Sequence, residues 1–268
     1  MRLCLLLLCS VGRGFKFGPT AFKRSYSAHL RAKSTHNAPA IPRVLHQTTA
    51  RPEAVPQKVA RNVREFAGGF ERRMYSDDDC EQFFTQHFPN TSYAATFRRL
   101  QNGAHKADLF RYAVLFVQGG VYMDVDVELV RPLEYFVDVD RHAMYTSLGK
   151  NPGAIFQALI AAPPHLPIFV DLMTYIDTHE SPPTYDAFLT DMYRRLHADA
   201  VNVSAGPLVA GEYKSARTPA LSYVLWQEAC TTQAARCASS LDRYGMCCTV
   251  SAGRRTLFRS RYADYPWS

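Results

Sequence analysis

Apolar residues recur at two periods along this chain, and each change of period marks a new element. "IPRVLHQT" (41–48) reads as a short buried strand opened by Pro42, and Val59, Val63 and Phe66 return at helical spacing over 56–66. "FERRMYSDDD" (70–79) predicts a strand running into a helix N-cap at Ser76 or Asp77; Cys80, Phe83, Phe84 and His87 supply that helix's apolar side. The best-defined helix is "AHKADLFRYAVLFVQGG" (104–120), with Leu109, Ala113 and Phe116 on one side and Gly119-Gly120 as its stop. "VYMDVDVEL" (121–129) then alternates, so a strand here sets Asp124, Asp126 and Glu128 on one face.

Past Pro132 the pattern weakens. "RHAMYTSL" (141–148) and "GAIFQALIAA" (153–162) read as strands, and a helix follows from Pro163 through Ile176. "YDAFLTDMYRRLHADA" (185–200) predicts another helix, "VNVSAGPLVAGEY" (201–213) a strand and turn, and the rest of the chain loops. Strands alternating with helices predict an α/β fold, a mainly parallel sheet flanked by helices with ligands at the carboxyl ends of its strands. Neither an internal repeat nor a flexible linker interrupts it. The expectation is therefore a leader over 1–40 and one domain over 41–268.

Charge changes the picture only at the N-terminus. The net charge of +7 would suit a nucleic-acid groove, but nine of the 31 Lys and Arg precede Glu53, the first of the 24 acids. The body of the chain therefore holds 22 basic residues to those 24 acids, and no nucleic-acid partner is expected. Arg2 and the apolar run at 3–11 resemble a signal peptide or a short signal-anchor, which would associate the chain with a membrane there. Secretory entry, with the Golgi lumen as destination, is the leading expectation; the acid-free tract to Asn37 leaves organellar transit as the second. Cys230, Cys237, Cys247 and Cys248 cluster as local disulfide candidates, with Cys80 unpaired, and two sequons at Asn90 and Asn202 suit a lumenal protein.

The acids at 124–128 carry the chemistry. Like charges set side by side need a compensating cation, and an all-oxygen set suits Mg²⁺ or Mn²⁺, ions that share their shell with phosphate oxygens. Acids facing water on an edge strand are the bland alternative. The preceding helix weighs against it: Asp108 and Arg111 stand at i and i+3 and project together, and Gly119-Gly120 brings them close to Asp124.

"IPRVLHQT" followed by "KADLFRYAVLFVQGGVYMDVDVELVRPL" resembles the DXD glycosyltransferases of glycosyltransferase family 32. The matching positions are Lys106, Ala107, Asp108, Arg111, Tyr112, Leu115, Gly119, Gly120, Tyr122, Asp124 and Asp126. The resemblance implies a GT-A type nucleotide-sugar-binding fold, a nucleotide-sugar donor, Mn²⁺ or Mg²⁺, and transfer to a glycan or glycolipid with retention of configuration. Its implied assignments are Asp124 and Asp126 on the metal, Asp108 and Arg111 on the donor sugar, His46 and Gln47 near the nucleotide, and Tyr122 in the pocket wall. Toward the C-terminus the family has a His and a Ser-Trp segment; this chain ends "RYADYPWS", where Asp264 is the candidate replacement metal ligand and Trp267 the candidate donor contact. Two other classes stay open: an inactive glycan- or partner-binding relative, and a haloacid-dehalogenase-type phosphatase with Asp124 as nucleophile and Asp126 as acid.

Overall fold

The computed structural model describes residues 40–179, 187–201, 203, 206–233 and 246–260. The leader, Cys237, Asn202, Asp264 and Trp267 lie outside them. Strands β1 (Val44–Thr48), β2 (Glu71–Tyr75) and β3 (Gly120–Met123) alternate with helices α1 (Gln57–Phe66), α2 (Asp77–His87), α3 (Tyr93–Arg99) and α4 (Gly103–Gln118). Then follow β4 (Glu128–Leu129), β5 (Ala143–Leu148), β6 (Ile155–Ala162), α5 (Pro167–Thr178), α6 (Ala187–Asp199), β7 (Gly211–Lys214), β8 (Ser222–Thr231), β9 (Cys247–Ala252) and β10 (Arg255–Arg259).

All ten strands join one sheet in the order β2-β1-β3-β6-β5-β8-β9-β10-β4, with β7 on β8. The α/β expectation holds, and the sheet is mixed. β1 runs parallel to β2 and β3, and β5 to β8, while the pairings of β6 and of the β8–β10 meander are antiparallel. Apolar layers cover both faces: Leu109, Phe110, Tyr122, Phe169 and Leu196 belong to one, and Ile41, Leu45, Val121, Trp226 and Phe258 to the other.

Local chemistry explains the early elements. Ser76 caps α2, its Oγ accepting from the Asp79 amide while the Asp79 carboxylate accepts from the Ser76 amide, a reciprocal capping box. Asn102 caps α4 by accepting from the Ala104 amide. That helix is buried on every side from Asp108 through Phe116, not along a single stripe. Gly119 and Gly120 turn it into β3 with φ of 65° and 95°, and a Cβ on Gly120 would lie 2.6 Å from the Val44 carbonyl oxygen.

Two expectations are corrected here. The C-terminal part is not loop-rich, because β8, β9 and β10 build one end of the sheet. Nor do the three acids share a strand face. β3 ends at Met123, and the Val127 amide donates to the Asp124 carbonyl across a turn at Val125-Asp126. The turn lets the like charges separate: Glu128 resumes in β4 and pairs with Arg259 of β10.

Candidate active site

The site forms where β1 and β3 end side by side and α4 passes behind them. His46 stands opposite Tyr122 in the parallel register, so Gln47 reaches the turn that follows Met123. Gln47 Nε2 donates to the Asp124 carbonyl at 3.4 Å, and its Oε1 accepts from Arg72 Nε at 2.8 Å. Both β1 residues are fully buried.

Arg111 is the hub. One Nη donates to the Gln157 carbonyl at 2.6 Å; the other lies 3.2 Å from Asp124 Oδ1 and 3.4 Å from Asp108 Oδ1. Its Nε reaches the Ala107 carbonyl at 3.3 Å, and its guanidinium carbon sits 4.7 Å from the centre of the Tyr122 ring. Burial opposes the guanidinium's charge, but Asp124, Tyr122 and Asp108 hold its pKa above the ordinary value. Asp108 and Arg111 are thus a buried pair, not a solvated helical one.

Asp124 connects this buried group to the surface. Its Oδ1 accepts from Arg111 and, at 2.9 Å, from the Tyr122 hydroxyl. Oδ2 has no partner among the described residues, and the side chain is 27% exposed. Asp126 follows on the same turn, partly buried. A carboxylate oriented by two donors, with one oxygen left over and a second acid two residues on, fits a hard divalent cation. Burial pushes the Asp108 carboxyl up to about 7, with Arg111 pulling the other way, so near neutrality it can donate or accept a hydrogen bond.

The other expected residues fall into place around this hub. Tyr122 is fully buried and orients Asp124 through its hydroxyl. His46 clamps the fold: one ring nitrogen meets the Tyr75 hydroxyl at 3.1 Å, the other the Gly119 carbonyl at 3.0 Å. Burial drives its pKa down to about 4 against the pull of that carbonyl, so the ring is neutral. With both nitrogens engaged inside the protein, His46 offers a nucleotide no free ring atom. Lys106 is structural as well, 2.6 Å from Asp77 at the start of α2. Among the described residues the Asp124 carboxylate meets Arg111 and Tyr122, and Gln47 meets its backbone carbonyl.

Sequence reasoning missed Gln157. It lies on β6, is 1% exposed, and accepts from Arg111 through its carbonyl and from the Tyr112 hydroxyl through its side chain. The available signal was a lone polar residue inside the apolar run "GAIFQALIAA".

Residues 63–146 match the family model described as the glycosyltransferase sugar-binding region containing DXD motif. That stretch is similar to the sugar-binding region of DXD glycosyltransferases. Asp108, Arg111, Tyr122, Asp124 and Asp126 lie within the match; His46, Gln47 and Gln157 lie outside it. The chain is similar to an uncharacterized glycosyltransferase of Acanthamoeba polyphaga mimivirus, 25% identical over 133 residues, 48% of this chain and 53% of that protein. It is also similar to inositol phosphoceramide mannosyltransferase 1 of Schizosaccharomyces pombe, 30% identical over 103 residues, 35% of this chain and 30% of the yeast protein. Each alignment thus spans about half or less of the relative's length. A solved structure titled PaToxG glycosyltransferase is 13% identical, with a TM-score of 0.44 covering 67% of this chain and 79% of that one. Among the described residues, no helix is long and apolar enough to cross a membrane.

The cysteine expectation is met in part. Cys230 and Cys248 form a disulfide between β8 and β9, and Cys80 is a buried thiol beside the Thr48 hydroxyl.

Proposed function

We propose that this protein is a metal-dependent retaining glycosyltransferase, moving a hexose from a nucleotide-sugar to a glycan or glycolipid acceptor in the lumen of the secretory pathway. What carries the reading is the state of Asp124: one oxygen is fixed by Arg111 and Tyr122, and the other has no partner among the described residues, at a partly exposed turn that also bears Asp126. Asp124 and Asp126 would hold Mn²⁺ or Mg²⁺, which supplies charge neutralisation for a leaving diphosphate. Arg111 keeps the Asp124 carboxylate aimed. Asp108, titrating at about 7, is suited to bind a donor hydroxyl in either protonation state. Mannose is the favoured sugar because the yeast relative is a mannosyltransferase, and galactose is the alternative.

The test is nucleotide release from GDP-mannose and UDP-galactose, with Mn²⁺ and with chelator. Metal-dependent release supports the transferase. Cleavage of a phosphomonoester in place of nucleotide release would replace it with a phosphatase. Absence of both would leave a glycan- or partner-binding protein.

A further inference from the structure

β4 is Glu128 and Leu129 alone, and it stands last in the sheet order. On one side it pairs with β10, where Arg259 faces Glu128 and Phe258 faces Leu129. The backbone groups of Leu129 bond instead to α1. Asn62 Nδ2 donates to the Leu129 carbonyl at 2.8 Å, and Asn62 Oδ1 accepts from the Leu129 amide at 3.0 Å. A single side-chain amide thus stands in for the missing neighbour of an edge strand. The two bonds also fix the amide's orientation, because turning it over would set donor against donor and acceptor against acceptor.

This bridge closes the far end of the turn that bears Asp124 and Asp126. At the near end Gln47 of β1 donates to the Asp124 carbonyl, so β1 and α1 each send one amide to the segment 124–129. Between the two amides, Val127 is fully buried with its own amide on the Asp124 carbonyl, and Glu128 pairs with Arg259. Asp126 lies inside this span, on backbone held from both sides. Next to the bridge a cleft of about 410 Å³ opens between α1 and β4, lined among others by Arg61, Phe66, Glu128 and Arg259. Helix and strand are therefore apart along the cleft, and Asn62 spans from one to the other.

We propose that Asn62 is a positioning residue for the metal site: by fixing Leu129 it sets the path of the turn, and with it the place of the Asp126 carboxylate. The Asp124 carboxylate is aimed separately, by Arg111 and Tyr122. Partners that orient a metal's ligands govern affinity because they hold the oxygens in place before the ion arrives. The inference rests on the metal-dependent nucleotide-sugar reading above and extends that site to α1.

The experiment compares wild type with Asn62→Ala and with Asn62→Leu, which keeps the side chain's bulk but neither hydrogen bond. Ser215→Ala is the control. It removes a bond to buried Asp199 at the amino end of β8, away from the end at which β3 delivers the turn. Calorimetry with GDP-mannose and UDP-galactose over a Mn²⁺ series gives the metal concentration that half-supports donor binding. In both Asn62 variants that concentration should rise about tenfold. Ser215→Ala should melt lower than wild type, yet keep its metal requirement within about twofold. Asn62 variants with the wild-type metal requirement, whatever their melting temperature, would make Asn62 an edge cap only and overturn the proposal. An equal rise in Ser215→Ala would overturn it too. Wild type that binds neither donor, or binds one regardless of Mn²⁺, would instead sink the metal-dependent reading, and the inference with it.

Discussion

Arg111 on α4 and Asp124 on the turn after β3 are joined by a 3.2 Å contact, so the carboxylate expected to meet a metal is aimed by a buried guanidinium. The same guanidinium spans the Gln157 carbonyl and Asp108, so it ties α4, β6 and the turn together. Arg111→Lys keeps the charge but not the planar fork. Urea unfolding should show a loss of about 2 kcal/mol from the missing charge-assisted hydrogen bonds, with turnover falling by more than about tenfold. Near-normal stability and kinetics in the Lys variant would mean that the fork is dispensable.

The two acids of the turn should separate by phenotype. Asp124 accepts from Arg111 and Tyr122, so Asp124→Asn disturbs a buried pair and should lower the melting temperature as well as metal-dependent binding. Asp126→Asn should remove metal-dependent binding with little change in melting temperature. Thermal unfolding of both variants without ligand checks this, and equal destabilisation would contradict the division of roles.

His46 should make stability depend on acid. Its pKa is about 4 in the folded protein against 6.5 for a free imidazole, so the unfolded chain takes up the proton first as pH falls. The contribution is fully present above 6.5 and is lost progressively as pH drops toward 4. Between pH 7.5 and 5 the loss should be about 2 kcal/mol. Asp108 acts with the opposite sign, since its raised pKa makes ionisation destabilising as pH rises toward about 7. Subtracting the urea curves of His46→Gln from those of wild type cancels that contribution. A difference that did not change with pH would place His46 in solvent.

The disulfide between Cys230 and Cys248 closes a segment of 18 residues. Replacing both with Ser should cost about 3 kcal/mol on the loop-entropy account. Peptide mapping without reductant should recover that pair and a Cys80 thiol; a free Cys230 would contradict the assignment.

Much of this was legible because local chemistry fixed it. The α2 cap at Ser76 and the α4 stop at Gly119-Gly120 follow from the preferences of single residues, and Asp108 with Arg111 follows from helical spacing. The break after Met123 was not legible, because alternation of Val with acids fits a strand and a strand–turn–strand equally. What decides is repulsion among the acids and a cation, Arg259, 131 residues beyond Glu128. β9 and β10 are short and carry polar residues at many positions, so they become strands by pairing with β8 and with each other. Gln157 gave no period at all. Its meaning comes from Tyr112 and Arg111, contributed by a different element.

The central claim is that the turn bearing Asp124 and Asp126 binds a nucleotide-sugar through a divalent metal. The most direct measurement is a thermal-shift panel of GDP-mannose, UDP-galactose, UDP-glucose and UDP-N-acetylhexosamines, each with and without Mn²⁺, on wild type and Asp126→Asn. One donor at about 100 times its Kd should stabilise wild type by ~2.7 kcal/mol with Mn²⁺ present, and neither the metal-free samples nor the variant should respond. Stabilisation independent of Mn²⁺, or equal in Asp126→Asn, would contradict the account.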